Sequence, residues 1–216
     1  MLKEKRLRIS EIFFSIQGET SKTGLPTVFI RLTGCPLRCQ YCDTSYAFYG
    51  GKVMLFEDII SQVKKFNCKD ICVTGGEPLA QSNSKKLLKQ LVDLDFQVSL
   101  ETGGSITLEG IDERVKIIMD VKTPDSGEST KNKWENMDLL KKSDELKFVI
   151  CSREDYQWSK NIIEEYKINE ICSILFSPSS ESLDPRDLAE WILTDKLSIR
   201  FQIQIHKILW DNQPGK

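Results

Sequence analysis

Short runs rich in Ile and Val alternate along the chain with segments whose apolar residues recur at helical spacing. This alternation is typical of strands that are each followed by a helix. The predicted strands cover residues 8–14, 27–32, 70–74, 97–100, 116–119, 145–150, 171–176 and 199–205. The predicted helices cover residues 56–66, a segment capped by Ser84, residues 153–166, and a segment that begins at Asp184-Pro185.

The order of these elements predicts an α/β fold with a mostly parallel sheet and right-handed crossovers. Strands this short and this rich in Ile and Val are typical of a sheet that is buried on both faces. A complete barrel of eight strand–helix units needs about 250 residues, whereas the chain has 216. We therefore expect a partial, open TIM-like barrel that forms a single domain over residues 1–216.

The polar segment 123–136 follows a predicted strand and contains Pro124, Gly127 and several Ser, Thr and Lys residues. Loops that follow the strands of an α/β sheet lie on its functional face, and long ones often cover a site. The sequence predicts a mobile loop here that acts as a lid.

Composition narrows the class of protein. Apolar residues make up 40% of the chain and charged residues 29%, which is ordinary for a globular domain. The formal net charge of −2 argues against a general binder of nucleic acid or of membrane surfaces. The first six residues lack the apolar run of a signal peptide, and no stretch has the ~20 apolar residues of a membrane span. Seven cysteines, an odd number, do not suggest a disulfide framework, so we expect a reducing, cytoplasmic setting.

Three cysteines lie close together in the segment 35–44, where Cys35, Cys39 and Cys42 follow a predicted strand. Three thiolates on a [4Fe–4S] cluster leave one iron without a protein ligand, and an open iron can bind a small molecule. Zinc is the alternative, but zinc sites usually have four ligands, and the single histidine, His206, is far along the chain. The other cysteines, which we expect to pack in the core, are Cys68, Cys72, Cys151 and Cys172.

A second motif, Thr74-Gly75-Gly76-Glu77-Pro78, follows the next predicted strand. Paired glycines allow a backbone to approach a ligand closely, although the motif alone is a common turn. Together with the cysteine spacing it resembles the radical S-adenosylmethionine (SAM) superfamily. The resemblance implies a cluster on the three cysteines, SAM on the open iron, and a 5′-deoxyadenosyl radical formed by one-electron cleavage. It also implies an external electron donor such as flavodoxin or ferredoxin.

Further segments resemble the 7-carboxy-7-deazaguanine synthase family over nearly the whole chain. They are residues 16–20, 29–35, 42–44, 101–104 and the closing 204–210, with a looser match at 120–122. The resemblance implies conversion of 6-carboxy-5,6,7,8-tetrahydropterin to 7-carboxy-7-deazaguanine with loss of ammonia, a carbon–nitrogen lyase reaction that requires Mg²⁺ and serves queuosine-type biosynthesis. It also implies a homodimer.

The resemblance assigns roles to individual residues. Those expected to contact SAM or its cluster are Tyr41, Cys42, Asp43, Gly75, Gly76, Glu77, Thr102, Gly103, Lys122, Ser177 and Pro178. Those expected to contact the pterin are Ile16, Gln17, Gly18, Glu19, Arg31 and Thr74. Arg31 suits the substrate carboxylate because its guanidinium can donate two parallel bonds, and an arginine in an apolar strand is seldom a surface ion pair. Thr44 matches the Mg²⁺ ligand, and without the resemblance it would be a helix cap.

Some interpretations stay open from the sequence. His206 is either a core histidine, which we favour slightly, or part of a C-terminal tail, 206–216, that closes the pocket. A glycyl-radical activating enzyme and a zinc-stabilised binding module are the alternative functions, and the segments around Gln17 and Asp43 speak against the former.

Overall fold

One nine-stranded sheet organises the chain. The computed structural model describes residues 5–211, 213 and 215, so the predicted domain and tail include positions 1–4, 212, 214 and 216 that lie outside the described residues. The strands are β1 (Arg6–Ile16), β2 (Pro26–Leu32), β3 (Lys52–Leu55), β4 (Asp70–Gly75), β5 (Gln97–Thr102), β6 (Lys116–Val121), β7 (Glu145–Ile150), β8 (Ser173–Pro178) and β9 (Arg200–Phe201). Their order across the sheet is β3-β1-β2-β4-β5-β6-β7-β8-β9.

The sheet is mostly parallel and does not close on itself. Strands β2 and β4 to β9 run parallel to one another, whereas β1 is antiparallel to both β2 and β3. This confirms the predicted α/β fold with a partial barrel. The edge strand β3 was not predicted, because four residues of which only Met54 is partly buried carry little pattern.

Helices cover the sheet. They are α1 (Phe56–Lys64), α2 (Ser84–Asp93), α3 (Arg153–Glu165), α4 (Ile168–Ile171), α5 (Pro185–Thr194) and α6 (Ile205–Trp210). Leu87, Leu88 and Leu91 on the apolar face of α2 are fully buried in a core that also takes in the strand residues. Asp184 caps α5 as expected, since its side chain accepts from the Arg186 N–H. Asn83, not Ser84, occupies the N-cap of α2. None of the helices within the described residues is long and apolar enough to cross a bilayer.

The prediction of a strand over residues 199–205 was wrong for most of its length. Only Arg200 and Phe201 pair with β8, and Ile205 already begins α6. One further backbone bond to β8 follows, from the Gln202 N–H to the Phe176 carbonyl oxygen at 3.0 Å, while the Gln202 side chain accepts from the Thr20 N–H at 2.8 Å. The alternating pattern there therefore reflects a short strand pairing and contacts with the loop after β1.

The segment 123–136 contains 3₁₀ turns that pack against the loop of the three cysteines. Ser126 accepts from the Gln40 N–H at 3.0 Å, and the Glu128 carboxylate accepts from the Arg38 N–H at 2.6 Å. The side chain of Asn132 bonds to both backbone groups of Lys122. Its predicted role as a mobile lid stays a prediction.

Candidate active site

A cavity of about 480 Å³ extends from the carboxyl ends of the parallel strands along the inner face of the sheet to the loop after β1. It is the size of an ordinary ligand pocket, and this edge of an α/β sheet is where such pockets form. The residues predicted from sequence that line it are Ile16, Gln17, Gly18, Glu19, Arg31, Cys35, Cys39, Tyr41, Cys42, Asp43, Thr44, Thr74, Gly76, Thr102, Gly103, Lys122, Ser177 and Pro178. Gly75 and Glu77 lie behind its wall. The structure thus brings together residues from six separate strand ends and two loops.

The three thiols of the cysteine loop fit a cluster better than a single metal ion. Cys35, Cys39 and Cys42 are free and partly buried, and all three line the cavity. Within the described residues, no group of three or more His, Cys, Asp and Glu side chains converges closely enough to hold one ion. A [4Fe–4S] cluster needs no such convergence, because each thiolate binds a different iron. The three thiols at one cavity wall are the donors that a [4Fe–4S] cluster takes.

Arg38 supports the cysteine loop from outside the cavity. Its Nη1 donates to the carbonyl oxygens of Cys35 at 2.8 Å and Leu37 at 2.6 Å. The guanidinium carbon lies 4.3 Å from the centroid of the Phe48 ring, a cation–π distance. Since these contacts do not involve the thiols, the loop has a defined shape before any iron binds. Burial raises the pKa of the Cys39 thiol to about 11, so ligation must release a proton.

The paired glycines lie directly against the cysteine loop. A Cβ at position 76 would come within 2.3 Å of the Gly34 oxygen and 2.9 Å of Cys35 Cβ. Glu77 N–H donates to the same Gly34 oxygen at 2.8 Å. Only glycine fits at position 76, and its backbone faces the cavity beside the thiols.

The Glu77 side chain joins two strand ends. Its carboxylate accepts from the N–H groups of Leu79 at 3.0 Å and Gly103 at 2.7 Å, and from the Thr102 hydroxyl at 2.9 Å. Burial raises the pKa of this fully enclosed group, although the N–H donors oppose the rise. The side chain is thus committed to the protein, and any contact of Glu77 with a ligand is left to its backbone.

The loop after β1 presents amide and carboxylate groups to the cavity. Gln17 and Glu19 are both buried, and the Gln17 side chain accepts from the Glu19 N–H at 3.2 Å. Glu101 accepts from the Thr74 hydroxyl at 2.9 Å and from Gln17 Nε2 at 3.4 Å. These bonds orient the Gln17 and Thr74 side chains in the cavity wall.

Arg31 lies opposite Glu11 in the antiparallel pair of β1 and β2. Its Nε donates to Glu11 Oε1 at 2.7 Å, and the arginine side chain is only 16% exposed. The guanidinium carbon lies 5.6 Å from the Phe13 ring centroid and 5.9 Å from that of Tyr46. Among the described residues no acceptor engages its terminal Nη atoms, so the partly buried ion pair leaves the guanidinium fork available to an anion in the cavity.

Thr44 does not act as the helix cap that its position suggests. It precedes a 3₁₀ turn, Ser45–Phe48, but its side chain makes no capping hydrogen bond. The hydroxyl instead donates to Asp43 Oδ1 at 2.8 Å. Its lone pairs remain available to a ligand in the cavity, which weakens the capping interpretation.

The segment 202–207 forms a wall that joins the loop after β1 to the cysteine loop. Gln204 Nε2 donates to Glu19 Oε1 and, at 3.2 Å, to Asp43 Oδ2. Lys207 Nζ lies 3.0 Å from Asp43 Oδ2. His206 lines the cavity, so the geometry favours the closing tail over the core histidine.

Gly18 and His206 lie in contact, which yields a test of this wall. A Cβ at position 18 would come within 2.0 Å of the His206 Nδ1 atom. We expect Gly18→Ala to lower the free energy of unfolding by about 1–3 kcal/mol, the usual cost of overpacking. Adding His206→Ala removes the clashing ring, so the double variant should be more stable than Gly18→Ala alone. Thermal unfolding of the parent protein, Gly18→Ala, His206→Ala and the double variant measures this. Equal melting temperatures for Gly18→Ala and the double variant would contradict the contact.

Several residues that line the cavity were not predicted. Glu101, Asp120 and Lys207 belong to segments that carry the resemblance but have no predicted role of their own, and Lys147 belongs to a predicted strand only. Lys147 is detectable in retrospect as a lysine between the apolar residues Leu146 and Phe148 of a strand. Lys207 carried no comparable pattern.

The comparisons with known proteins agree with this architecture. The radical SAM superfamily matches residues 29–192. A 7-carboxy-7-deazaguanine synthase from Chlorobaculum tepidum is 44% identical over 98% of this chain and 97% of its own. One from Koribacter versatilis is 38% identical over 94% of this chain and 97% of its own. The crystal structure of QueE from Escherichia coli superposes with a TM-score of 0.77 at 20% identity, covering 92% of this chain and 94% of that one, and supports the fold.

Proposed function

Since the chain belongs to the 7-carboxy-7-deazaguanine synthase family of the radical SAM superfamily, we propose that it makes 7-carboxy-7-deazaguanine. The substrate is 6-carboxy-5,6,7,8-tetrahydropterin, and the reaction is a Mg²⁺-dependent ring contraction with loss of ammonia, hence a carbon–nitrogen lyase step in 7-deazapurine biosynthesis. The observation that supports this most directly is that Arg31, Glu19 and the three cysteine thiols line one cavity.

The cofactor side of the proposal rests on the cysteine loop and the glycine turn. Cys35, Cys39 and Cys42 would hold the [4Fe–4S] cluster, and the cluster with SAM would supply the radical chemistry that abstracts hydrogen. The residues proposed to hold SAM are Tyr41, Asp43, Gly75, Gly76, Glu77, Thr102, Gly103, Lys122, Ser177 and Pro178. Gly75 and Glu77 do not line the cavity. They would contribute by their backbone groups or by holding in place the residues that do line it.

The substrate side rests on the loop after β1 and on β2. Glu19 accepts from the N–H groups of the pterin, and the Gln17 amide and the Gly18 backbone bond to its edge. Arg31 takes the substrate carboxylate on its free guanidinium nitrogens, while Glu11 and the neighbouring rings keep the fork in place. Ile16 and Thr74 complete this side. Holding the carboxylate fixes which carbon–hydrogen bond faces the cofactor, and this orientation is the protein's main contribution.

The partners follow from this chemistry. One electron per reductive cleavage must come from outside, and flavodoxin or ferredoxin would supply it. A homodimer stays a prediction.

Anaerobic turnover tests the proposed function. Protein reconstituted with iron and sulfide is incubated with dithionite, SAM, Mg²⁺ and 6-carboxy-5,6,7,8-tetrahydropterin, and 7-carboxy-7-deazaguanine and ammonia are measured. We expect both products, with no glycyl radical formed on any protein. Reductive SAM cleavage without consumption of the pterin would overturn the proposal.

Thr44→Ala separates the metal site from the cofactor site. Because the Thr44 hydroxyl is proposed to bind Mg²⁺, we expect cluster content and SAM cleavage to persist while ring contraction falls roughly 10- to 100-fold, a loss typical of a weakened metal site. Iron analysis, SAM cleavage and product formation are measured in the same preparation.

Ser45→Ala is the matched control, because Ser45 is exposed, adjacent, and not part of the cavity lining. It should match the parent protein in all three measurements. Normal turnover of Thr44→Ala with an unchanged Mg²⁺ requirement would rule out Thr44 as the ligand.

A further inference from the structure

Lys147 is a charged side chain that faces the cavity from β7, a strand whose other residues are apolar except for Glu145. It lies on β7 directly opposite Asp120 of β6 in the strand register, and its side chain is 14% exposed. It lines the cavity. A lysine is seldom buried without an ionic partner, since desolvation of the ammonium is costly.

The main partner of Lys147 is Glu19, from the loop after β1. Lys147 Nζ lies 2.7 Å from Glu19 Oε2 and 3.6 Å from Asp120 Oδ2. The other oxygen of Glu19, Oε1, accepts from Gln204. Glu19 is therefore fixed from two sides, and each oxygen keeps a lone pair for a second donor.

We propose that Lys147 is a positioning residue that keeps Glu19 an ionised, fixed acceptor and so makes the cavity select heterocycles that present N–H donors there. The proposal rests on the proposed function, which places the pterin edge at Glu19. A carboxylate can only accept, whereas a protonated carboxyl group can also donate to an oxygen. Lys147 thereby favours a 2-amino heterocycle over its 2-oxo counterpart.

The surrounding charges agree with an ionised pair. Burial acts to raise the pKa of Glu19, but Lys147 more than offsets this, so the pKa is lowered overall. Of the weaker contributions, Asp43 of the cysteine loop raises the pKa of Glu19 and His206 of α6 lowers it. Burial acts to lower the pKa of Lys147, yet Glu19, Asp120 and Glu101 of β5 raise it well above its usual value. Both groups therefore stay charged through the neutral range.

Removing Lys147 should raise the pKa of Glu19. With burial and Asp43 left to raise its pKa, Glu19 takes up a proton as the pH falls, and the acceptor is lost on the acidic side. In the parent protein the lowered pKa keeps the acceptor present over the same range. A purely structural role for Lys147 would change affinity equally at every pH.

Binding without turnover provides the test. Reconstituted protein with SAM and no reductant is titrated with 6-carboxypterin and with 6-carboxylumazine, its 2-oxo counterpart, between pH 6 and pH 8. We expect the parent protein and Lys147→Arg to prefer 6-carboxypterin at every pH. Lys147→Met should bind 6-carboxypterin about ten-fold more weakly at pH 6 than at pH 8, the change expected when an essential group with a raised pKa protonates, and should lose most of the preference.

Lys160→Met is the matched control, because Lys160 forms a 2.7 Å pair with Asp195 at comparable exposure outside the cavity. It should leave both affinities unchanged. The double variant Glu19→Gln/Lys147→Met should bind like Glu19→Gln alone, since the two residues act as one unit. If Lys147→Met folds poorly, this comparison still tests whether Lys147 acts through Glu19.

The outcomes separate the two proposals. If the parent protein binds 6-carboxypterin, and Lys147→Met keeps its affinity, preference and pH profile, the positioning role is overturned and the proposed function stands. If the parent protein does not bind 6-carboxypterin at all, the proposed function fails and the role of Lys147 fails with it.

Discussion

Replacement of Cys39 by Ser will leave a protein that folds but cannot hold a [4Fe–4S] cluster, and product formation will be lost completely. With Cys35 and Cys42 alone, only two irons would have thiolate ligands, and no side chain among the described residues stands in for the third. The brown colour and the absorbance near ~400 nm of anaerobic preparations, both due to the cluster, should disappear. Iron and sulfide analysis after reconstitution measures the loss directly.

Cys68→Ser is the control for this prediction. Cys68 is also free and partly buried, but its Sγ lies near the Pro26 carbonyl at 3.3 Å, where β2 begins and away from the cavity. This variant should keep iron, colour and turnover. Retention of a full cluster by Cys39→Ser, or its loss from Cys68→Ser, would refute the assignment of the ligands.

Arg31→Met will weaken binding of 6-carboxypterin by about 100-fold or more, the scale expected when one partner of a buried, hydrogen-bonded charge pair is removed. The variant loses the donors to the ligand carboxylate and leaves Glu11 without its ionic partner. Fluorescence titration of reconstituted protein with SAM and no reductant measures the affinity.

Two controls isolate the carboxylate contact. Unsubstituted pterin lacks the carboxylate, so Arg31→Met should affect its binding far less than that of 6-carboxypterin. Glu11→Gln keeps an acceptor for the Arg31 Nε and should cost less than Arg31→Met. An equal loss for both ligands would mean that Arg31 supports the fold of the site and does not bind the carboxylate.

The parts of the site that could be predicted from sequence are those encoded by local spacing. Cys35, Cys39 and Cys42 belong to one turn, and Gly76 belongs to another, so their proximity within each motif follows from the chain itself. That the two turns touch follows from parallel strands β2 and β4 lying side by side. The alternation of elements therefore predicted both the fold class and the edge at which the cavity forms.

The contacts that could not be predicted join residues with no local relation. Lys147 meets Glu19 across 128 positions, and Gln204 meets Glu19 across 185. Nothing in the residues around Gln204 distinguishes a side chain that crosses a cavity from one on a strand. The regular alternation at residues 199–205 predicted a longer strand than the two residues that pair, because the side chains of Gln202 and Gln204 bond to Thr20 and Glu19 of the loop after β1.

Glu77 illustrates a different limit. Its motif predicts a ligand contact, yet the carboxylate is enclosed by Leu79, Thr102 and Gly103. A motif indicates that a residue lies near a ligand, but it does not show whether the side chain or the backbone makes the contact. Only the hydrogen-bond partners make that distinction.

The bond between Thr20 and Gln202 spans 182 positions, whereas the cysteine loop depends on strands that are close together in the chain. Distant partners meet late during folding, because a long segment must first be brought to order. We therefore expect a refolding chain to form the cysteine loop before the side of the pocket made by Gln202 and Gln204. Iron and sulfide added during refolding should then reach the thiols more readily than when they are added to the folded protein.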